Sequence, residues 1–155
     1  MITILDLKQA PQHLETLAQW HLNEWSHFNP GESIQQRIDR MQPFFNDAFV
    51  PSTFIATDTK LLGSAAIVTN DMETRADLSP WLASVYVDPE HRRRGTGTKL
   101  VRHIMHLAKT NGIKTLYLFT PDQEKFYEKL GWKTISREPY RGQEVAVMQV
   151  RLSDK

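Results

Sequence analysis

The chain has 155 residues, 19 Lys+Arg against 18 Asp+Glu, and a formal net charge of +1. With 40% hydrophobic and 24% charged residues it has the composition of one globular domain over residues 1–155, which excludes a disordered chain and argues against a polyanion binder. The absence of cysteine excludes a disulfide scaffold, a Cys-type zinc site, an iron–sulfur cluster and a thiol nucleophile.

The N-terminus has no basic segment followed by a long apolar one, and no apolar run approaches the ~18 residues that a membrane span needs. A cytoplasmic protein with no membrane partner is expected. Ile2 and Ile4 alternate with Thr3, the period of a strand. After Pro11, the residues Leu14, Leu17, Ala18, Leu22 and Trp25 fall at helical spacing, and Asn29-Pro30-Gly31 interrupts them. Ile34, Ile38 and Met41 predict a second helix ending by Gln42, before Pro43.

The period then changes. Residues 53–57 and 61–69 read as a hairpin around a turn at Asp58-Thr59-Lys60. Asn70 to Pro80 is polar and acidic, which predicts an exposed loop. Trp81 to Val87 is nearly all apolar, as expected of a central strand covered on both faces, and Asp88-Pro89 stops it. From Thr98 to Asn111, Leu100, Val101, Ile104, Leu107 and Ala108 form a helical stripe that ends at Gly112. Ile113 to Phe119 is a strand. Thr120-Pro121-Asp122-Gln123 predicts a helix start with a capping box, running to Leu130 and stopping at Gly131. Lys133–Glu138 and Glu144–Arg151 close the chain as two strands. The order implies a mixed α/β fold: mostly antiparallel pairing, a parallel strand–helix–strand crossover over 81–119, and helices on both faces of the sheet.

The most informative stretch runs from Val87 to Leu100 and contains Arg92-Arg93-Arg94-Gly95-Thr96-Gly97-Thr98 between a buried strand and an amphipathic helix. A helix start offers unpaired N–H groups and the positive end of the dipole, and glycines admit an anion closely. Such a turn can cradle a pyrophosphate. Gly95 and Gly97 alone are equally served by a plain strand-to-helix turn, and the run His91–Arg94 by a solvated loop or a small nucleic-acid patch. The pattern is neither a Walker A loop nor a dinucleotide fingerprint, since no Gly-Lys-Ser/Thr follows and position 100 is Leu.

The spacing Arg92-x-x-Gly95-x-Gly97, after Val87 and Pro89 and before a Leu-rich helix, resembles the acetyl-CoA signature of the GNAT N-acetyltransferase family. A second stretch, Leu116–Thr120 followed by Phe126-Tyr127-Glu128-Lys129-Leu130-Gly131-Trp132, is similar to that family's next strand and helix. The resemblance covers almost the whole order of elements. It implies a coenzyme lying in a V between splayed strands 81–87 and 113–119. Main-chain groups around Val85 and Val87 would pair with the pantetheine arm. The N–H groups from Arg93 to Thr98 (Arg93, Arg94, Gly95, Thr96, Gly97, Thr98) would hold the pyrophosphate, and Arg92 matches the first position of the signature. Many members carry Asn where this chain has Thr120, which is therefore read as a helix cap and not as a coenzyme contact.

The implied activity is transfer of an acetyl group from acetyl-CoA directly to a primary amine. Tyr127 matches the position that serves as general acid toward the leaving thiolate. A phenol with a pKa of about 10 keeps its proton at neutral pH. Helical periodicity alone would make Tyr127 a packing residue beside Phe126 and Leu130. An amine of pKa about 10.4 needs a base or a water chain, for which Glu24, Glu32, Asp71, Glu73, Asp77 and His21 are candidates without an order among them. His103 and His106 share one helix face, but no third ligand accompanies them, so no metal is expected.

The acceptor pocket implied by the resemblance draws on Trp20, Trp25, His27, Phe28, Phe44, Phe45 and Tyr140. The acceptor is a small molecule or a peptide. The stretch Thr120-x-Asp122-Gln123-x-x-Phe126-Tyr127-x-x-Leu130-Gly131 is similar to one in some protein N-terminal acetyltransferases that take acidic N-termini, which favours a peptide. A peptide enzyme should leave an open groove between residues 20–33 and the 137–143 loop, whereas a metabolite enzyme should close it. The alternatives to an enzyme are a non-catalytic acyl-CoA-binding module and a small nucleic-acid-binding domain; the near-neutral charge opposes the latter. The resemblance also allows a homodimer, although no residue marks an interface.

Overall fold

The computed structural model describes residues 1–152. Seven strands form one sheet: β1 (Thr3–Asp6), β2 (Ser52–Thr57), β3 (Leu61–Val68), β4 (Trp81–Val87), β5 (Thr115–Thr120), β6 (Lys133–Tyr140) and β7 (Gln143–Arg151), in the order β1-β2-β3-β4-β5-β7-β6. Every neighbouring pair is antiparallel except β4 and β5. The fold is the expected mixed α/β arrangement with a mostly antiparallel sheet and one parallel pair.

The period of two along β2 assigns its faces. Phe54 and Ala56 meet Leu100, Val101, Ile104 and Ala108 of α3 (Thr96–Thr110) on one side of the sheet. Ile55 turns to the other side, against Leu17 and Ala18 of α1 (Leu14–Trp25) and Met41 of α2 (Ile34–Met41). Ser33 starts α2 with a reciprocal capping box, its hydroxyl accepting from Gln36 N–H while the Gln36 side chain accepts from Ser33 N–H.

Three expectations are corrected. Helix α4 is only Glu124–Glu128, shorter than the stretch from Thr120 to Leu130. Thr120 stays in β5, opposite Ala146, and its hydroxyl accepts from Gln123 N–H at 3.0 Å. Half of the expected capping box therefore forms, but Gln123 has φ −117° and delays the helix to Glu124. Strand β4 is covered on both faces only through Trp81–Ala83; from Ser84 onward it is half-exposed because a cleft opens beside it. The acidic loop 70–80 is not wholly exposed, since Met72 is buried in a cluster with Phe28, Trp81 and Tyr140.

That cleft follows from strand geometry. β4 and β5 pair only at Trp81↔Tyr117, where Tyr117 N–H donates to the Pro80 carbonyl at 3.1 Å, and then diverge. On its other edge β4 carries a bulge: Ser64 faces Tyr86 while Ala66 faces Ala83, leaving two β4 residues against one of β3. Ser84 takes φ +52° to make it.

Ile104 is fully buried beneath the sheet, while Ile135 on the edge strand is 40% exposed. Ile104→Ala should lower unfolding free energy by about 2–5 kcal/mol, and Ile135→Ala by less than about 1 kcal/mol, in urea titrations.

Candidate active site

The diverging strands enclose one continuous cleft of about 1200 Å³. One wall is β4 from Ala83 to Val87, and the floor continues into the turn before α3. The opposite wall is Leu118–Gln123 with Phe126 and Tyr127, and the far end is built by α1, α2 and the β6–β7 hairpin.

The turn is shaped by its own backbone. Asp88 accepts from His91 Nδ1 at 2.7 Å and from His91 N–H through its carbonyl at 2.8 Å, so His91 is a buried brace. Arg92 folds back, donating from Nε to the Val87 carbonyl at 2.8 Å with its guanidinium 5.6 Å from the Tyr86 ring centre. Arg93 (φ +67°) and Gly95 (φ +79°) are left-handed, and Gly95 opens α3 without a side-chain cap. The first N–H to find a main-chain acceptor is that of Lys99, on the Gly95 carbonyl. The N–H groups of Thr96, Gly97 and Thr98 therefore face the cleft with no protein acceptor, at the positive end of the helix.

Gly97 has the space for a side chain. A Cβ there would meet Phe126 at 3.5 Å and Val87 at 3.7 Å, ordinary contact distances. The fold does not require glycine at 97, whereas the left-handed φ of Gly95 does favour it. Thr96 Oγ1 is buried without a hydrogen bond in the same turn. Three unsatisfied N–H groups, an orphaned hydroxyl and a glycine that the packing does not demand fit a pyrophosphate. Of the residues expected to hold a coenzyme, Val85, Val87, Arg92, Arg93, Gly95, Thr96, Gly97 and Thr98 line the cleft; Arg94 does not, and is exposed.

Tyr127 is 7% exposed and reaches the cleft from the second wall, its ring edge-on to Phe126 and Trp132. Burial, with Asp122 second, pushes its phenol pKa up, so the hydroxyl holds its proton throughout the neutral range.

At the far end Trp25, His27, Phe28, Phe44 and Tyr140 line the cleft as expected; Trp20 and Phe45 do not. Trp20 instead stands behind Tyr86, with ring centres 5.5 Å apart. Three of the candidate bases are held in ion pairs: Glu32 with Arg40, Glu73 with Arg141 and Asp77 with Arg75. Glu24 and Asp71 remain on the wall. Asp71 is half-exposed to the cleft and otherwise packed about by protein. Burial raises its pKa to about 6 against the pull of Arg37, Arg40 and Arg141. His103 packs its ring on Phe54 at 5.1 Å, and no group of three His, Asp or Glu residues able to hold a metal occurs among the described residues.

His21 is excluded as a base by its hydrogen bonds. Arg37 Nη2 lies 3.1 Å from His21 Nδ1, and arginine can only donate. Nδ1 therefore accepts, and Nε2 carries the proton to Ser64 Oγ at 2.9 Å. Ser64 in turn donates to the Ser84 carbonyl at 3.4 Å, in the bulge of β4. Burial first and Arg37 second lower the His21 pKa to about 3. Sequence reasoning missed this chain, although a signal existed. His21 lies four residues after Leu17, and Arg37 lies between Ile34 and Met41, so both are polar residues set into apolar stripes.

The Acetyltransferase (GNAT) domain profile matches residues 51–134, more than half of the chain. The protein is a member of the GNAT acetyltransferase family. Over 64 residues it is 33% identical to the uncharacterized N-acetyltransferase YobR of Bacillus subtilis (strain 168), a match covering 39% of this chain and 26% of that protein; the matched segment thus spans about a quarter of the relative's length. Two solved structures share the GNAT fold. An acetyltransferase of the GNAT family from Staphylococcus aureus Mu50 superposes with a TM-score of 0.73 at 19% identity, covering 99% of this chain and 100% of the other. An aminoglycoside 6'-N-acetyltransferase complexed with coenzyme A superposes with a TM-score of 0.75 at 19% identity, covering 100% and 98%. No helix among the described residues is long and apolar enough to cross a membrane.

The two shifted groups act on stability with opposite signs. Between pH 6.5 and about 3 the unfolded chain binds the His21 proton and the folded protein does not, so stability is complete above 6.5 and falls as the pH drops. Between about 6 and 3.8 the folded protein binds the Asp71 proton and the unfolded chain does not, so stability falls as the pH rises. The two oppose one another where the windows overlap. Asp71→Asn should leave the His21 effect unopposed and lose about 1.4 kcal/mol more than wild type for each pH unit between 6 and 4, in parallel urea titrations. Parallel curves would place the Asp71 pKa at its ordinary value.

Proposed function

We propose that this protein transfers an acetyl group from acetyl-CoA directly to the primary amine of a small molecule, as one domain over residues 1–155 in the cytoplasm. The observation that carries the reading is the opening between β4 and β5, which leads to three unpaired N–H groups at the start of α3. A thioester arm fits along the divergent edge of β4 at Val85 and Val87. Its pyrophosphate fits the turn from Arg93 to Thr98, where negative charge is favoured. The bent-back Arg92 adds a cation at the strand end.

The chemistry needs few groups. The neutral amine nitrogen attacks the thioester carbonyl and forms the C–N bond, and the C–S bond breaks as the carbonyl reforms. The Tyr127 hydroxyl gives its proton to the departing sulfur, and the amine gives up one proton to water. The phenolate then recovers a proton from solvent. Burial keeps the phenol protonated, so a proton is at hand as charge develops on the sulfur; the same burial makes the phenol a weaker acid, so it gives that proton up only to the departing thiolate.

Arg141 supports a small acceptor over a peptide. Residues Arg141 (φ +46°) and Gly142 (φ +88°) make the tight turn between β6 and β7. From it Arg141 donates Nη1 to the Phe28 carbonyl at 2.7 Å and to Asn29 Oδ1 at 3.0 Å, and Nη2 to Glu73 at 2.9 Å. The hairpin is thus clasped to the segment after α1, across the groove that an extended peptide would occupy.

Calorimetric titration tests the coenzyme site. The wild type should bind acetyl-CoA and CoA far more tightly than ATP. Gly97→Glu should fold, because an acidic side chain suits the first helical turn, yet lose coenzyme binding by tenfold or more through charge and bulk. A folded wild type that binds neither CoA species would overturn the proposal. Tyr127→Phe should lower kcat by about a hundredfold with CoA affinity within about threefold of wild type. Turnover equal to wild type would remove Tyr127 from the reaction, and coenzyme binding without release of thiol to any amine would leave an acyl-CoA-binding module.

A further inference from the structure

The arginines at the far end of the cleft differ in what they hold. Arg40 is paired with Glu32, and Arg141 is occupied by Phe28, Asn29 and Glu73. Arg37 is 8% exposed and takes part in none of the ion pairs among the described residues. Of its five N–H donors the protein uses one, on Nη2, and its acceptor is a neutral imidazole. Nε is buried with no partner, and Nη1 makes no hydrogen bond to the protein. Yet Arg37 lines the cleft, beside Met41 and Phe44 of the same wall. A buried guanidinium without a carboxylate is costly to keep, and its planar fork matches two oxygens of one anion.

We propose that Arg37 binds a carboxylate of the acceptor, so that the substrate is an amine that also carries a carboxylate rather than a polycationic amine. The inference rests on the acetyl-transfer reading above and names its substrate class. His21 serves the arrangement as a positioning residue. Its Nδ1 lone pair fixes Nη2, and its Nε2 proton ties the same unit to Ser64. Burial, then the repulsion of Arg40, lowers the basicity of Arg37, while Glu32 and Asp71 support its charge from a distance; an arriving carboxylate relieves this. Asp71 and Glu24 on the same cleft wall suit the ammonium end of such a substrate.

The test compares matched acceptors by thiol release from acetyl-CoA: glycine, β-alanine, L-alanine, L-phenylalanine and L-lysine, each against its carboxamide, with rates expressed per neutral amine. The wild type should prefer the carboxylate of at least one pair by about tenfold to a hundredfold in kcat/KM, the size of a charge-assisted bidentate contact. Arg37→Met should bring that ratio close to one, and Arg37→Lys should retain part of it. A purely structural Arg37 would depress both members of a pair together and leave the ratio unchanged, which overturns the proposal. CoA affinity equal to wild type certifies that each variant is folded; if Arg37→Met does not fold, the wild-type ratio decides. Amides used as well as acids overturn carboxylate recognition while acetyl transfer stands. CoA binding with no member of the panel acetylated also overturns it, provided that the N-acetylated acids bind the CoA complex no better than their amides. Failure to bind CoA at all removes the underlying reading instead.

Discussion

The site depends on two neighbouring strands parting after a single pair. β4 is bonded along its length to β3 but to β5 only at Trp81↔Tyr117. Backbone groups in the middle of a sheet need partners, so a divergence there leaves polar edges that water or a ligand must satisfy. The aromatic cluster beneath the junction holds it in shape. Trp81 is fully buried, donates Nε1–H to the Leu78 carbonyl at 2.8 Å and packs on Tyr117 and Phe119, which in turn meets Phe28 and Tyr140. The two ends of the cleft therefore share one apolar support.

A polar chain supports the other side. Arg37, His21, Ser64 and Ser84 come from α2, α1, β3 and β4, and their hydrogen bonds run in one direction, from guanidinium to bulge carbonyl. Each link fixes the next: arginine sets the imidazole tautomer, the imidazole proton engages the serine oxygen, and the serine proton reaches the carbonyl. Such a network acts as a unit, so a change at α2 is felt at the strand that lines the cleft. Among the candidate bases, this leaves Glu24 and Asp71 on the cleft wall outside any ion pair among the described residues.

Local patterns were legible in the sequence and remote ones were not. The stripe Leu100, Val101, Ile104 and Ala108 located α3, and the glycines and arginines before it located the turn that borders the cleft, because each signal is local in the sequence. The cap of α4 was half right: Thr120 does accept from Gln123 N–H, but pairing with Ala146 holds Thr120 in the sheet and shortens the helix. Composition misjudged the 70–80 loop, since Met72 is drawn under Trp81 and Tyr140 by contacts that no local rule anticipates. Arg94 belongs to the motif by spacing yet faces outward, whereas Arg37 belongs to no motif and faces in. The clasp made by Arg141 joins residues more than a hundred positions apart, beyond the reach of periodicity.

The spare room at Gly97 has a consequence for anyone who would make this protein sturdier. A glycine inside a helix, whose added Cβ would make only ordinary contacts, is where a thermostabilising design would place alanine first, for a gain of about 0.5–1 kcal/mol. Under the coenzyme reading proposed above, the same methyl group would crowd the helix start against the phosphates. Resistance to heat and grip on the coenzyme thus pull on one atom in opposite directions, and a screen that scores melting temperature alone would select against catalysis here.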